Sequence, residues 1–219
     1  MSQTSVGLMK SASTQRLYNY WENLRGERAA PERRDIEPSA IKSLLGDVFI
    51  LEHDGGAGFS YRLAGSALCS AYCRELKGRD FRQFWKDEDL EAVDTMMLAV
   101  REDAAAAVLG FNGVNGRNQA APYEMLLLPL RYGGVDFPRI LGIAAPMDSH
   151  YWIGTSPILH HTISSMRLIW PDEKPAFLRH AVNDDVLGDN DLLVQDTADF
   201  GDHATARRQA FRVIDGGLS

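Results

Sequence analysis

At 219 residues the chain fits one domain with substantial extensions, or at most two small ones. Its 45% hydrophobic content suffices for a core. No apolar stretch approaches the ~20 residues of a membrane span, and no charged start followed by an apolar run marks a secretory signal. The net charge of −7 is uneven: residues 171–219 hold ten acids against five bases, so most of the acidity lies there. No basic stripe is present, which argues against nucleic-acid binding.

In chain order, residues 1–13 are small and polar and read as a flexible N-terminus. Leu17, Tyr20, Trp21 and Leu24 recur at i, i+3, i+4 and i+7, the stripe of an amphipathic helix that Gly26 can stop. A charged linker follows, and then Pro38 opens a short helix carrying Ile41, Leu44 and Leu45 that Gly46 ends. Val48–Glu52 and Phe59–Ala64 read as strands joined by the turn Asp54-Gly55-Gly56-Ala57-Gly58. Ser66–Leu76 reads as a helix stopping near Gly78. Phe81, Phe84 and Trp85 form an aromatic turn, and Asp87–Glu102 is the clearest helix, with Leu90, Val93, Met97 and Val100 as its buried stripe. Its first residues, Asp87, Glu88 and Asp89, favour the positive N-terminal end of the dipole.

Three further strands are predicted at Ala106–Asn115, Tyr123–Arg131 and Arg139–Ala145, the last two joined by Gly133-Gly134-Val135-Asp136. Strands segregated from helices predict an α+β domain with an antiparallel sheet. The run Leu126-Leu127-Leu128 with Leu130 puts apolar side chains on both faces of its strand, so something must cover the second face. The orphan stripe of the N-terminal helix is the candidate, from the same chain or from a partner. Ile158–Trp170 offers another strand or helix against the domain, which is bounded here as residues 14–170. Residues 171–219 form an acidic tail. In it, seven Asp between Asp184 and Asp202 are interspersed with Val186, Leu187, Leu192, Leu193, Val194 and Phe200. This composition predicts a partly disordered segment, or one that docks on a partner or on its own domain.

The order of elements, together with Leu17-Tyr18 through Trp21, Leu24-Arg25-Gly26, Pro31, Arg34-Asp35-Ile36, Pro38, Tyr61-Arg62-Leu63-Ala64-Gly65, Arg74-Glu75-Leu76, Gly78, Leu128-Pro129-Leu130 and Leu141-Gly142, resembles a PAS domain. In detail it is similar to the single-domain alphaproteobacterial branch. The resemblance covers residues 14–170. It implies a five-stranded antiparallel sheet with short helices on one face, an N-terminal amphipathic helix on the other, and a sensory or adaptor role rather than enzymatic activity. Motility and cell-cycle regulation are possibilities at the level of the family. It also implies that Arg34 and Asp35 fix an elbow between helix and sheet. Gly78-Arg79-Asp80-Phe81-Arg82 resembles the flavin-photosensor motif Gly-Arg-Asn-Cys-Arg, but Phe81 stands where the photochemistry needs a thiol, so no flavin adduct is expected.

Other chemistry-bearing residues are sparse. Cys69 and Cys73, four apart in a helical-looking segment, would stack on one face, where a disulfide closes almost no loop. Reduced thiols in a cytoplasmic protein are expected. Zinc would need two more ligands than this pair supplies. His160 and His161 follow the five core strands in a poor place for a haem ligand, and surface positions are expected for them and for His53 and His150. Arg33, Arg34, Asp35 and Glu37 have no nucleophile near them in sequence, so an acid–base site is not expected and no catalytic residue is assigned.

Tyr72, Cys73, Phe81, Phe84, Trp85, Met97, Phe111 and Met125 are the candidates for a pocket between helices and sheet. Their bulk is compatible with a filled core, and their Met and aromatic character suits an apolar or amphipathic ligand. No tightly bound cofactor and no metal are predicted. The partners expected are a second copy through Leu17, Tyr20, Trp21 and Leu24, and signalling proteins such as kinases or other regulators. A pure scaffold and a small cone-fold enzyme are the competing readings.

Overall fold

The computed structural model describes residues 9–171 other than Asp54, Ala57, Gly134 and Val135. The acidic-tail reading therefore lies outside the described residues.

Helix α1 spans Ala12–Arg25. The Ser11 side chain caps its start by accepting from the Ser13 amide at 3.2 Å, and Gly26, at φ +56°, ends it with an N–H donated to the Glu22 carbonyl. The flexible N-terminus expected over 1–13 needs correction for residues 9–13. Met9 is buried, and the Lys10 and Ser11 amides donate to the Glu124 carboxylate at 2.7 and 2.8 Å. The Thr14 hydroxyl donates to the same carboxylate. A buried acid on the sheet thus satisfies the two backbone donors that lead into the helix.

The strands are β1 Val48–His53, β2 Phe59–Ala64, β3 Ala106–Asn115, β4 Ala120–Tyr132, β5 Asp136–Pro146 and β6 Ile158–Ile169. All pairings are antiparallel, in the order β2-β1-β5-β4-β3-β6. The sheet has six strands among the described residues rather than five. The sixth is the Ile158–Trp170 segment whose type the sequence left open. Gly142 on β5 is where the backbone must come close: a Cβ there would lie 2.2 Å from the Phe49 ring.

Each face of the sheet has its own core. On the outer face Leu126, Leu128, Leu130, Leu141, Ile143, Val48 and Ile50 meet Leu17, Tyr18 and Trp21 of α1. The Trp21 indole N–H donates to the Pro129 carbonyl at 2.9 Å. The doubly apolar β4 strand is therefore covered within one chain. The inner face carries helices α2 (Ser66–Ala71) and α3 (Leu90–Glu102) and the aromatic turn Phe81–Phe84.

Helix α2 is five residues shorter than Ser66–Leu76 predicts. Tyr72 closes it and Cys73 takes a left-handed backbone, φ +50°. The two thiols therefore do not stack on one helix face: Cys69 is half-buried and Cys73 exposed. The first three residues of the Asp87–Glu102 helix form a 3-10 turn. There the Asp89 carboxylate accepts the Ile163 amide at 3.0 Å, tying the start of α3 to β6.

Candidate functional site

The predicted pocket residues gather on the inner face, with one exception. Tyr72, Phe81, Phe84, Trp85, Met97, Phe111 and Met125 are all buried in one cluster, whereas Cys73 is exposed past the end of α2 and faces no interior space. The rings are close enough to fill the volume between helices and sheet. Tyr72 and Phe84 lie 4.7 Å apart between centroids, Phe81 and Trp85 5.8 Å, and Trp85 and Phe111 5.6 Å. These are ordinary spacings of tilted and edge-on aromatic pairs.

At the centre of the cluster stands His161, which the sequence reading placed at the surface. It is fully buried, and its ring lies 4.5 Å from Phe111, 4.6 Å from Trp85, 5.7 Å from Tyr72 and 5.9 Å from Phe84. Its Nε2 shares a 2.6 Å hydrogen bond with the Tyr72 hydroxyl. Its Nδ1 has no partner among the described residues, and neither has the buried indole nitrogen of Trp85. Burial pushes the imidazole pKa down to about 3, helped by the neighbouring His160, so the ring is neutral at physiological pH. Burial likewise holds the Tyr72 hydroxyl protonated.

The strand signal that would have exposed His161 is interrupted. Leu159 and Ser164 are extra residues at the two register shifts of β6, so the inward positions run Ile158, His161, Ile163, Met166 and Leu168 instead of every second residue. Of the other histidines, His160 is half-buried next to the core residue, and His53 and His150 are half-buried rather than fully exposed.

Outside the ring cluster, a cleft of about 320 Å³ opens between the β1–β2 end of the sheet and α3. Phe59, Phe81, Met97 and Leu98 supply its apolar wall, and Arg82, Asp94 and Arg101 its charged groups. Only Phe81 and Met97 of the predicted pocket residues reach it. Phe81 is shared between cluster and cleft, lining the cleft and packing against Trp85 and Tyr61. Among the described residues no cluster of His, Cys, Asp and Glu could hold a metal ion.

The elbow is built on Asp35 but not on Arg34. Asp35 accepts from the Glu32 amide and from the Arg28 guanidinium, both at 3.0 Å, and closes a capping box with Glu32. Arg34 is exposed and makes no ion pair among the described residues. Leu17 and Trp21 face the chain's own sheet, while Tyr20 and Leu24 flank them half-buried.

The sequence model of one family, the PAS domain, matches residues 9–145, more than half of the chain and all of the first five strands except the end of β5. The chain belongs to the PAS domain family. It is a sensory-type fold, and β6, with His161, lies beyond the part of this PAS protein that the family model matches.

Several solved structures are similar to it. One is a light-oxygen-voltage domain studied with a flavin analogue, at 14% identity and a TM-score of 0.42 over 52% of this chain and 85% of that one. A second is the dark structure of the blue-light photoreceptor Aureochrome1 LOV, at 14% identity and 0.41 over 52% and 83%. A third is the PAS domain of an HTR-like protein from Haloarcula marismortui, at 20% identity and 0.37 over 50% and 90%. No curated protein matches. No helix among the described residues of the PAS protein is long and apolar enough to cross a membrane.

Proposed function

We propose that this PAS protein is a non-enzymatic signalling adaptor. It works through protein–protein contacts, with no cofactor in its core and with the α3 cleft as the place for any small ligand. The observation that supports this most directly is His161. A fully buried side chain from β6 occupies the middle of the aromatic cluster, so the volume between helices and sheet is spent on packing. Ligand-sized space is found instead outside Phe81. The partners proposed are signalling proteins such as kinases or other regulators. A second copy is also proposed, for which Tyr20 and Leu24 offer the half-buried contacts left on α1.

An absorption spectrum and a native mass spectrum of freshly purified protein test the core. The expected result is the polypeptide mass with no visible absorption band. A stoichiometric chromophore would overturn the reading, because the rings could not then be packed as described.

A further inference from the structure

We propose that the cleft beside α3 binds a small amphipathic anion, an apolar body ending in a carboxylate. This rests on the reading of that cleft as the ligand's place and adds the chemistry of the ligand. Asp94, Met97, Leu98 and Arg101 stand at i, i+3, i+4 and i+7 on α3, so one helix face presents an acid, two apolar side chains and a base in line. The two charged ends lie about 10 Å apart along the axis at 1.5 Å per residue.

The ends are not equivalent. Asp94 is neutralised by Arg82, whose Nε lies 3.0 Å from its carboxylate. Arg101 lines the same cleft with no ion-pair partner among the described residues. Among the described residues that line the cleft, the charge left over is therefore positive, in a chain whose net charge is −7.

The apolar part of the site is also built for an occupant. Phe81 and Met97 are almost wholly buried and give the cleft only an edge of each side chain, which makes a firm wall rather than a mobile one. Leu98 is 36% exposed on the rim, one turn before Arg101. An apolar chain laid along Met97 and Leu98 would bring a terminal carboxylate to Arg101. The volume, about 320 Å³, is at the small end of the ~300–1,000 Å³ that small-molecule sites span. A cationic amphiphile would meet an unpaired guanidinium in the same position, and a neutral one would leave that charge unused.

The test is calorimetric titration of the full chain with octanoate, octanol and octylammonium, three probes with the same tail. Methionine-methyl NMR localises the binding, with the Met97 signal assigned by Met97→Leu. The expected result is a Met97 shift with octanoate, which binds about fivefold tighter than octanol, as one exposed ion pair allows. Octylammonium should be weakest. Arg101→Gln should abolish the octanoate advantage while leaving octanol unchanged, and its unaltered melting curve would show that the fold is intact. Octylammonium binding as tightly as octanoate, or an unchanged octanoate advantage in Arg101→Gln, would overturn the anion assignment while the cleft reading stood. Absence of binding and of any Met97 shift with all three probes would overturn both.

Discussion

The two faces of the sheet are closed by different chemistry. The outer face is an aliphatic surface of leucines and isoleucines under one helix, with Trp21 bonded to the Pro129 carbonyl and Glu124 to three donors around the start of α1, while the Asn19 side-chain oxygen on that helix has no partner among the described residues. The inner face is aromatic, and its central polar group is only half satisfied, since His161 bonds Tyr72 through one nitrogen and nothing described through the other. An unmade buried hydrogen bond costs more than a made one gains. The outer face is therefore organised for stability. The inner face keeps a polar group that a purely structural core would not need.

This contrast can be broken most sharply at its outer anchor. Trp21→Ala removes a buried indole and orphans the Pro129 carbonyl, and it should cost about 3–5 kcal/mol in urea unfolding. Glu124→Ala leaves the Lys10 and Ser11 amides without their acceptor, while the Thr14 hydroxyl keeps the Ser11 carbonyl. A loss of ~2–3 kcal/mol is expected, and faster hydrogen exchange should be confined to residues 10–14. If Glu124→Ala instead melted like wild type, the N-terminal segment would not be held as described.

The inner face should reveal itself through pH. The folded pKa of His161, about 3, lies below the ordinary 6.5. Above pH 6.5 the imidazole is neutral in both states and contributes no pH dependence. Between 6.5 and 3 the unfolded chain binds a proton that the folded chain refuses, so stability falls as pH falls, by up to ~1.4 kcal/mol per unit. His161→Phe should lose this component while the carboxylate contribution remains. At neutral pH it should cost about 1–3 kcal/mol, because the buried Tyr72 hydroxyl loses its only described partner, a loss that removal of the unpartnered nitrogen offsets in part. Identical acid slopes in the two proteins would contradict a buried neutral ring.

The smallest effects belong to the connections. Cys73→Gly should stabilise by ~0.5–1 kcal/mol, because glycine accepts the left-handed backbone that Cys73 holds at φ +50°. At the elbow, Asp35→Ala should cost about 1 kcal/mol by thermal melting, and Arg34→Ala less than ~0.5. Equal effects at the two positions would restore the joint elbow role of Arg34 and Asp35 that the resemblance implies, where the structure gives Asp35 the Arg28 guanidinium as its partner.

Several parts of the fold were legible because local patterns force them. The period of Leu17, Tyr20, Trp21 and Leu24 followed by Gly26 gives α1, and the leucine run of β4 demands a covered second face. The candidate site was legible only in part. The ring residues were identifiable as interior by their bulk, but Cys73 was misplaced because the helix was carried past Tyr72 into a residue of left-handed backbone. His161 was missed because the two extra residues of β6 break the alternation that assigns a face. The cleft left no signal at all, since Phe59, Phe81 and Asp94 through Arg101 come from three separate elements.

By itself, then, the sequence determined the elements and the need for two cores, because side-chain period and apolar content act within a few residues along the chain. Tertiary structure alone decided that α1 covers its own sheet, that β6 extends the sheet beyond β3, and that His161 enters the aromatic core while Arg101 is left facing a cleft. Each of these depends on which residues meet across dozens of positions, and there packing and desolvation outweigh local preference.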